Sequence, residues 1–145
     1  MNGQVKLPKK FNELKFEIND KKMAEGKINN ITKRENELYF DIFLSESPTF
    51  QYNDVEYKIP EQVTIECYEE VRNTIGEKVY GKNAITDEKV NSLQEKMEGK
   101  EFKFALFPVK VEANKLKVFL LVENKYEKDG EIYYPFCGIV WGDSV

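Results

Sequence analysis

Histidine is absent from the 145 residues. With it go the commonest general base, the usual partner of a nucleophilic serine or cysteine, and the commonest zinc ligand. No G-x-G-x-x-G, Walker-type or G-x-S-x-G segment is present either. The expectation is therefore a non-catalytic protein without cofactor or metal. The one enzymatic route left open is a metal held by carboxylates brought together from distant loops. Cysteine is nearly absent too: Cys67 and Cys137 stand far apart with no CxxC-like spacing, which argues against a structural disulfide or thiolate metal site and for two buried, small apolar residues. Arginine is limited to Arg34 and Arg72 among 22 basic residues. Lysine is a point charge suited to phosphates, whereas bidentate reading of guanine edges favours arginine. Any contact with nucleic acid is thus expected to be with the backbone and indifferent to sequence. Gly and Pro are too few for a disordered or low-complexity chain. No apolar run approaches a membrane span, and "MNGQVKLPKK" has basic residues without an apolar stretch behind them. A cytoplasmic protein with no membrane partner is the expectation.

What is present is aromatic and charged: 13% aromatic and 33% charged within a chain that is 41% hydrophobic. That is enough apolar material for the core of a single domain spanning 1–145. The net charge of −4 is unevenly spread. Residues 1–34 carry nine Lys or Arg against Glu13, Glu17, Asp20 and Glu25, a local +5, so the remainder carries −9. Such asymmetry permits a basic groove on an acidic protein, and equally an ordinary solvated surface. The Lys, Asn, Ile and Glu bias matches an AT-rich bacterial or phage genome.

Alternation marks the strands. Leu14, Phe16 and Ile18 form a first short one before the turn "NDKK". The segment 23–32 follows, with Gly26 as a candidate bulge, and then 37–45, where Leu38, Phe40, Ile42 and Leu44 share one face while Tyr39, Asp41 and Phe43 share the other. "SESPTFQYNDVEYKIPEQ" reads as a long loop carrying a small hairpin arm. Val63, Ile65 and Cys67 alternate with Thr64, Glu66 and Tyr68 in a strand over 62–69, and residues 69–85 are ambiguous. The clearest helix is 86–98, with Thr86 as cap, Val90, Leu93 and Met97 as an apolar stripe and Gly99 as its stop. Strands over 101–112, with Pro108 at a bulge or edge, and over 115–126 come next, then the turn "KDG" at 128–130 and a C-terminal extended tail over 127–145 that closes as a strand anchored by Trp141.

Five barrel strands with a helix between the third and fourth make a mainly β (β-rich α+β) layout that, over residues 23–126, resembles the OB-fold, a small antiparallel barrel. The resemblance is one of fold and carries no diagnostic motif. It implies a ligand platform on strands two and three. There Tyr39, Phe43 and Tyr68 would stack on the bases of single-stranded DNA or RNA, and Lys27, Lys33, Arg34, Lys103, Lys110 and Lys117 would meet phosphates. Such a module would serve replication or recombination of a phage or mobile element. The same aromatics could instead be covered by the tail residues Tyr133, Tyr134, Phe136 and Trp141, or by a second copy in a homodimer. Asp41 and Glu66 share their face and repel phosphate unless paired. The alternative function is a protein-binding module, such as an inhibitor of a host defence or nucleic-acid enzyme. It would act through the aromatic tail or through the acidic region 46–77, where eight acids (Glu46, Asp54, Glu56, Glu61, Glu66, Glu69, Glu70 and Glu77) face Lys58, Arg72 and the neighbouring Lys78. The segment "YYPFCGIVWGDSV" resembles only loosely the partner-recruiting tails of bacterial single-strand-binding proteins, since it has one acid, Asp143, and a strand-like "CGIVW".

Overall fold

A computed structural model of the chain describes residues 22–72, 78–81, 85–123 and 136–145. The expected strand at 14–18, the "KDG" turn and the tail residues 133–135 lie outside these. The elements run β1 (Lys22–Arg34), β2 (Glu37–Leu44), β3 (Thr49–Tyr52), β4 (Val55–Lys58), β5 (Gln62–Glu66), β6 (Tyr68–Arg72), β7 (Lys78–Gly81), α1 (Asp87–Met97), β8 (Glu101–Glu112), β9 (Lys115–Glu123) and β10 (Phe136–Ser144). The protein is mainly β, and its antiparallel strands curl into a half-barrel compatible with an OB-like barrel. Along the sheet the order is β3-β4-β10-β9-β8-β1-β2-β5, with β6 pairing β10 and β7. Among the described residues no helix is long and apolar enough to cross a membrane.

Turn chemistry explains much of this path. Asn53 and Asp54 sit at φ 52° and 66°, and Ala113 and Asn114 at φ 52° and 68°. Two consecutive left-handed residues are what a two-residue hairpin turn needs for its twist to match the flanking strands. The first turn builds the expected hairpin arm, β3–β4. Lys22 donates to the Thr49 carbonyl and lies 5.2 Å over the Phe50 ring, and the Tyr52 hydroxyl donates to the Val109 carbonyl at 3.0 Å. The arm is thereby folded back, with Phe50, Tyr57 and Ile59 in the core.

The inward positions of every barrel strand supply that core: Ile28, Phe40, Ile42, Ile65, Phe104, Leu120, Phe136 and Val140 are all buried. Phe40 and Phe136 meet at 5.1 Å between ring centroids. The helix α1 is capped by the Thr86 hydroxyl, which accepts from the Lys89 N–H at 3.1 Å, and it turns Val90, Leu93 and Met97 inward. Its end docks on β1. Gly99, at φ 81°, donates to the Ile28 carbonyl at 2.7 Å, Lys100 accepts from Ile28, and Gln94 and Glu98 bond the carbonyl and N–H of Ile31 at 2.8 and 2.9 Å. The strand β1 pairs β8 only as far as Lys27. Beyond it, the end of α1 takes over the freed backbone groups, as a buried strand edge requires.

Two register expectations change. The bulge of β1 falls between Ile28 and Asn30, not at Gly26. Gly26 is needed for close approach, since a Cβ there would stand 2.3 Å from the Phe43 carbonyl oxygen on β2. The strand expected over 62–69 breaks at Cys67, whose N–H donates to the Leu38 carbonyl at 2.7 Å. Beyond the break the chain leaves β2 and pairs β10, with Tyr68 opposite Cys137. The tail strand β10 pairs along β9 and passes close to β5: a Cβ on Gly138 would lie 2.8 Å from the Ile65 Cβ. It is held by Phe136 and Val140. Trp141 points outward instead, 38% exposed, with the Lys117 ammonium 5.6 Å over its ring.

Candidate nucleic-acid interface

The outward positions of β1, β2 and β5 form one continuous face. Along β2 these are Tyr39, Asp41 and Phe43, and the register sets Lys27 opposite Phe43 and Thr32 opposite Tyr39 on β1, and Gln62, Thr64 and Glu66 opposite Phe43, Asp41 and Tyr39 on β5. Phe43 is 43% exposed, an unusual placement for a phenyl ring, and Lys27 beside it is exposed. Tyr39 is half-buried under the Arg34 guanidinium, whose carbon lies 4.6 Å from the ring centroid.

The remaining residues expected at the site are dispersed. Tyr68 does not share this face: it is buried in a second apolar cluster with Ala105, Phe107, Phe119 and Cys137 on the outer side of β8, β9 and β10. The break at Cys67 moves it there. Lys33 is 3.1 Å from Asp87, while Lys110 and Lys117 reach Glu112 at 3.4 and 3.7 Å. Lys103 is on the same outer side of the sheet, across from Glu25 on β1 and not beside Phe43. It helps to line a cleft of about 640 Å³ with Lys22, Glu25 and Glu46, where the signs of charge balance. Of the cations expected to meet phosphate, Lys27 and Arg34 are the ones beside Phe43 and Tyr39, while Lys117 lies over Trp141.

A second cleft, about 400 Å³, opens on the face itself, lined by Asn29, Asp41, Phe43, Gln62 and Thr64 together with Ile42 and Val63. It owes its shape to the β1 bulge, because the extra residue there is Asn29. Asp41 is fixed within it. The Thr64 hydroxyl donates to one carboxylate oxygen at 2.6 Å and the Asn30 amide reaches the other at 3.4 Å. Asn29 and Gln62 were not legible as site residues, since nothing in the alternation announces the bulge. Thr64 was read only as part of an alternating strand, and Asp41, on the same face as Phe43, only as an acid that repels phosphate.

Among the described residues of the acidic region, exposure is mixed. Glu46, Asp54, Glu56 and Glu61 are exposed, but Glu69 is buried and ion-paired to Lys89 at the start of α1. Both thiols are free and buried. Burial pushes Cys67 well above the ordinary thiol value, with Cys137 nearby adding to the effect, and burial alone pushes Cys137 the same way. Among the described residues no three carboxylates or thiols are grouped as a metal ion would require. Compared with known proteins, the chain matches no family model, no curated protein and no solved structure.

Proposed function

We propose that this chain is a non-catalytic module on an OB-like barrel that binds single-stranded nucleic acid across the outer face of β1, β2 and β5. The observation that carries the reading is the exposed Phe43 ring with Lys27 directly across from it, on the same face as the Arg34–Tyr39 pair. An aromatic plane holds any base by stacking, worth about 1–3 kcal/mol per base, and flanking cations take the phosphates. Tyr68, being buried, has no part in it. Lysine in place of arginine favours backbone contact over base reading, so the module is tolerant of sequence.

Fluorescence anisotropy of a labelled mixed-sequence strand of about 30 nucleotides, titrated at about 50 and about 200 mM salt, tests this. Saturable binding that weakens with salt, and weakens about tenfold in Phe43→Ala with a smaller loss in Tyr39→Ala, is the expected result. Lack of binding at the lower salt overturns the reading and leaves the exposed ring to a protein partner.

A further inference from the structure

The cleft beside Phe43 has a chemical bias of its own. The single hydroxyl proton of Thr64 is donated to Asp41, so Thr64 turns only lone pairs outward, and an ionised carboxylate has nothing but lone pairs. The fixed centre of the cleft is therefore a pair of acceptors. Asn29 and Gln62 at its rim carry both donors and acceptors and adapt to either. A phosphate has no proton to offer this centre and is repelled by Asp41, so a strand lying on the face must set its backbone toward Lys27 and Arg34 and turn a base inward.

Resting on the single-strand reading above, we infer that the cleft takes a nucleobase by its amino edge, Asp41 accepting a hydrogen bond from an exocyclic amine while Phe43 carries the ring. Cytosine N4 and adenine N6 present such an amine, whereas thymine presents carbonyl oxygens at the equivalent position. Binding remains tolerant of sequence but is biased by composition. Asp41 is the residue that sets the bias.

The test is anisotropy with labelled oligo(dC), oligo(dA) and oligo(dT), each about 30 nucleotides, on the full chain and on Asp41→Asn. Asparagine keeps a carbonyl for Thr64 and adds an amide donor that thymine can accept. Oligo(dC) and oligo(dA) should bind the unaltered chain about fivefold more tightly than oligo(dT). In Asp41→Asn that ratio should fall to near one while affinity for oligo(dT) is kept or raised, which also shows that the variant is folded. Equal affinity of the unaltered chain for all three strands, or the same ratio in the variant, overturns the assignment to Asp41 and leaves the single-strand reading standing. Binding of none of them overturns both.

Discussion

The outer side of the sheet differs sharply between its two halves. Across the middle of β8, β9 and β10 the outward positions hold Ala105, Phe107, Phe119 and Cys137, all buried, with Val109, Leu121 and Ile139 packed around them and Tyr68 joining from β6, while further along β10 Trp141 stays 38% exposed beside Lys117. Across β1, β2 and β5 the same positions of the pleat hold Lys27, Thr32, Tyr39, Asp41, Phe43, Gln62 and Thr64, and Phe43 stays 43% exposed. Alternation is equally regular in both. What decides the outcome is whether apolar groups outside the barrel have apolar neighbours. Phe119 lies in register with Phe107, the two rings 6.0 Å apart, while Phe43 is flanked by Lys27 and Gln62. Contiguous apolar area repays burial at roughly 25 cal/mol per Å², whereas an isolated ring among polar groups gains little from a cover. One half has become a second core with Trp141 at its rim, and the other a polar surface with Phe43 on display.

The largest test of this contrast is in stability. Phe119→Ala should cost about 3–5 kcal/mol, because the ring is fully buried and leaves a cavity. Phe43→Ala should stay within about 0.5 kcal/mol, as for a surface change. Urea unfolding of both variants measures the difference. A loss of more than about 2 kcal/mol in Phe43→Ala would make that ring structural and break the comparison.

Much of the fold was legible because local signals agreed with one another. The hairpin arm rests on Asn53-Asp54, the helix on Thr86 and Gly99, and the strands on plain alternation. What could not be read was non-local. The β1 bulge exists because the end of α1 claims the backbone of Ile28 and Ile31, and nothing near Asn29 signals a helix some 60 residues later. The same holds for Tyr68. Its parity with Thr64 and Glu66 is right for an open face, but the break at Cys67 transfers it to β10 and into the closed half. The candidate face was half legible on the same grounds. Tyr39 and Phe43 follow from parity within one strand, whereas Gln62 and Asn29 depend on register between strands.

A smaller effect is expected where the two halves meet. Gly138 on β10 faces β5, and a Cβ there would stand 2.8 Å from the Ile65 Cβ and 2.9 Å from the Glu66 carbonyl oxygen. Both neighbours are held near the backbone, so Gly138→Ala has to push β5 away, at about 1–3 kcal/mol. Because β5 supplies Gln62 and Thr64 to the cleft, the same variant should weaken binding of single strands as well as lower the urea midpoint. Loss of stability with binding intact would show that the open face does not depend on the approach of β10.

The two thiols sharpen the comparison from inside and outside at once. Cys67 belongs to the barrel core and Cys137 to the outer cluster, yet burial raises both well above the ordinary thiol value. The raised folded-state values mean that the fold keeps its thiol protons at a pH where the unfolded chain has already released them. Their contribution to stability is therefore intact below the unfolded value, about 8.5, and declines as pH rises above it. The decline is at most a little over 1 kcal/mol per pH unit for each thiol. Urea unfolding between about pH 8 and 10 should show a shallower decline in Cys137→Ala than in the unaltered chain, since the variant removes one of the two groups and leaves every other alkaline titration in place. Cys137 should also resist a thiol-reactive disulfide reagent in the folded protein and react at once in urea, because the buried neutral thiol is not the nucleophile. Rapid reaction of Cys137 with Cys67 protected would mean that the outer cluster opens while the core stays shut. The two halves of the sheet would then differ in how long they stay covered more than in whether they are covered.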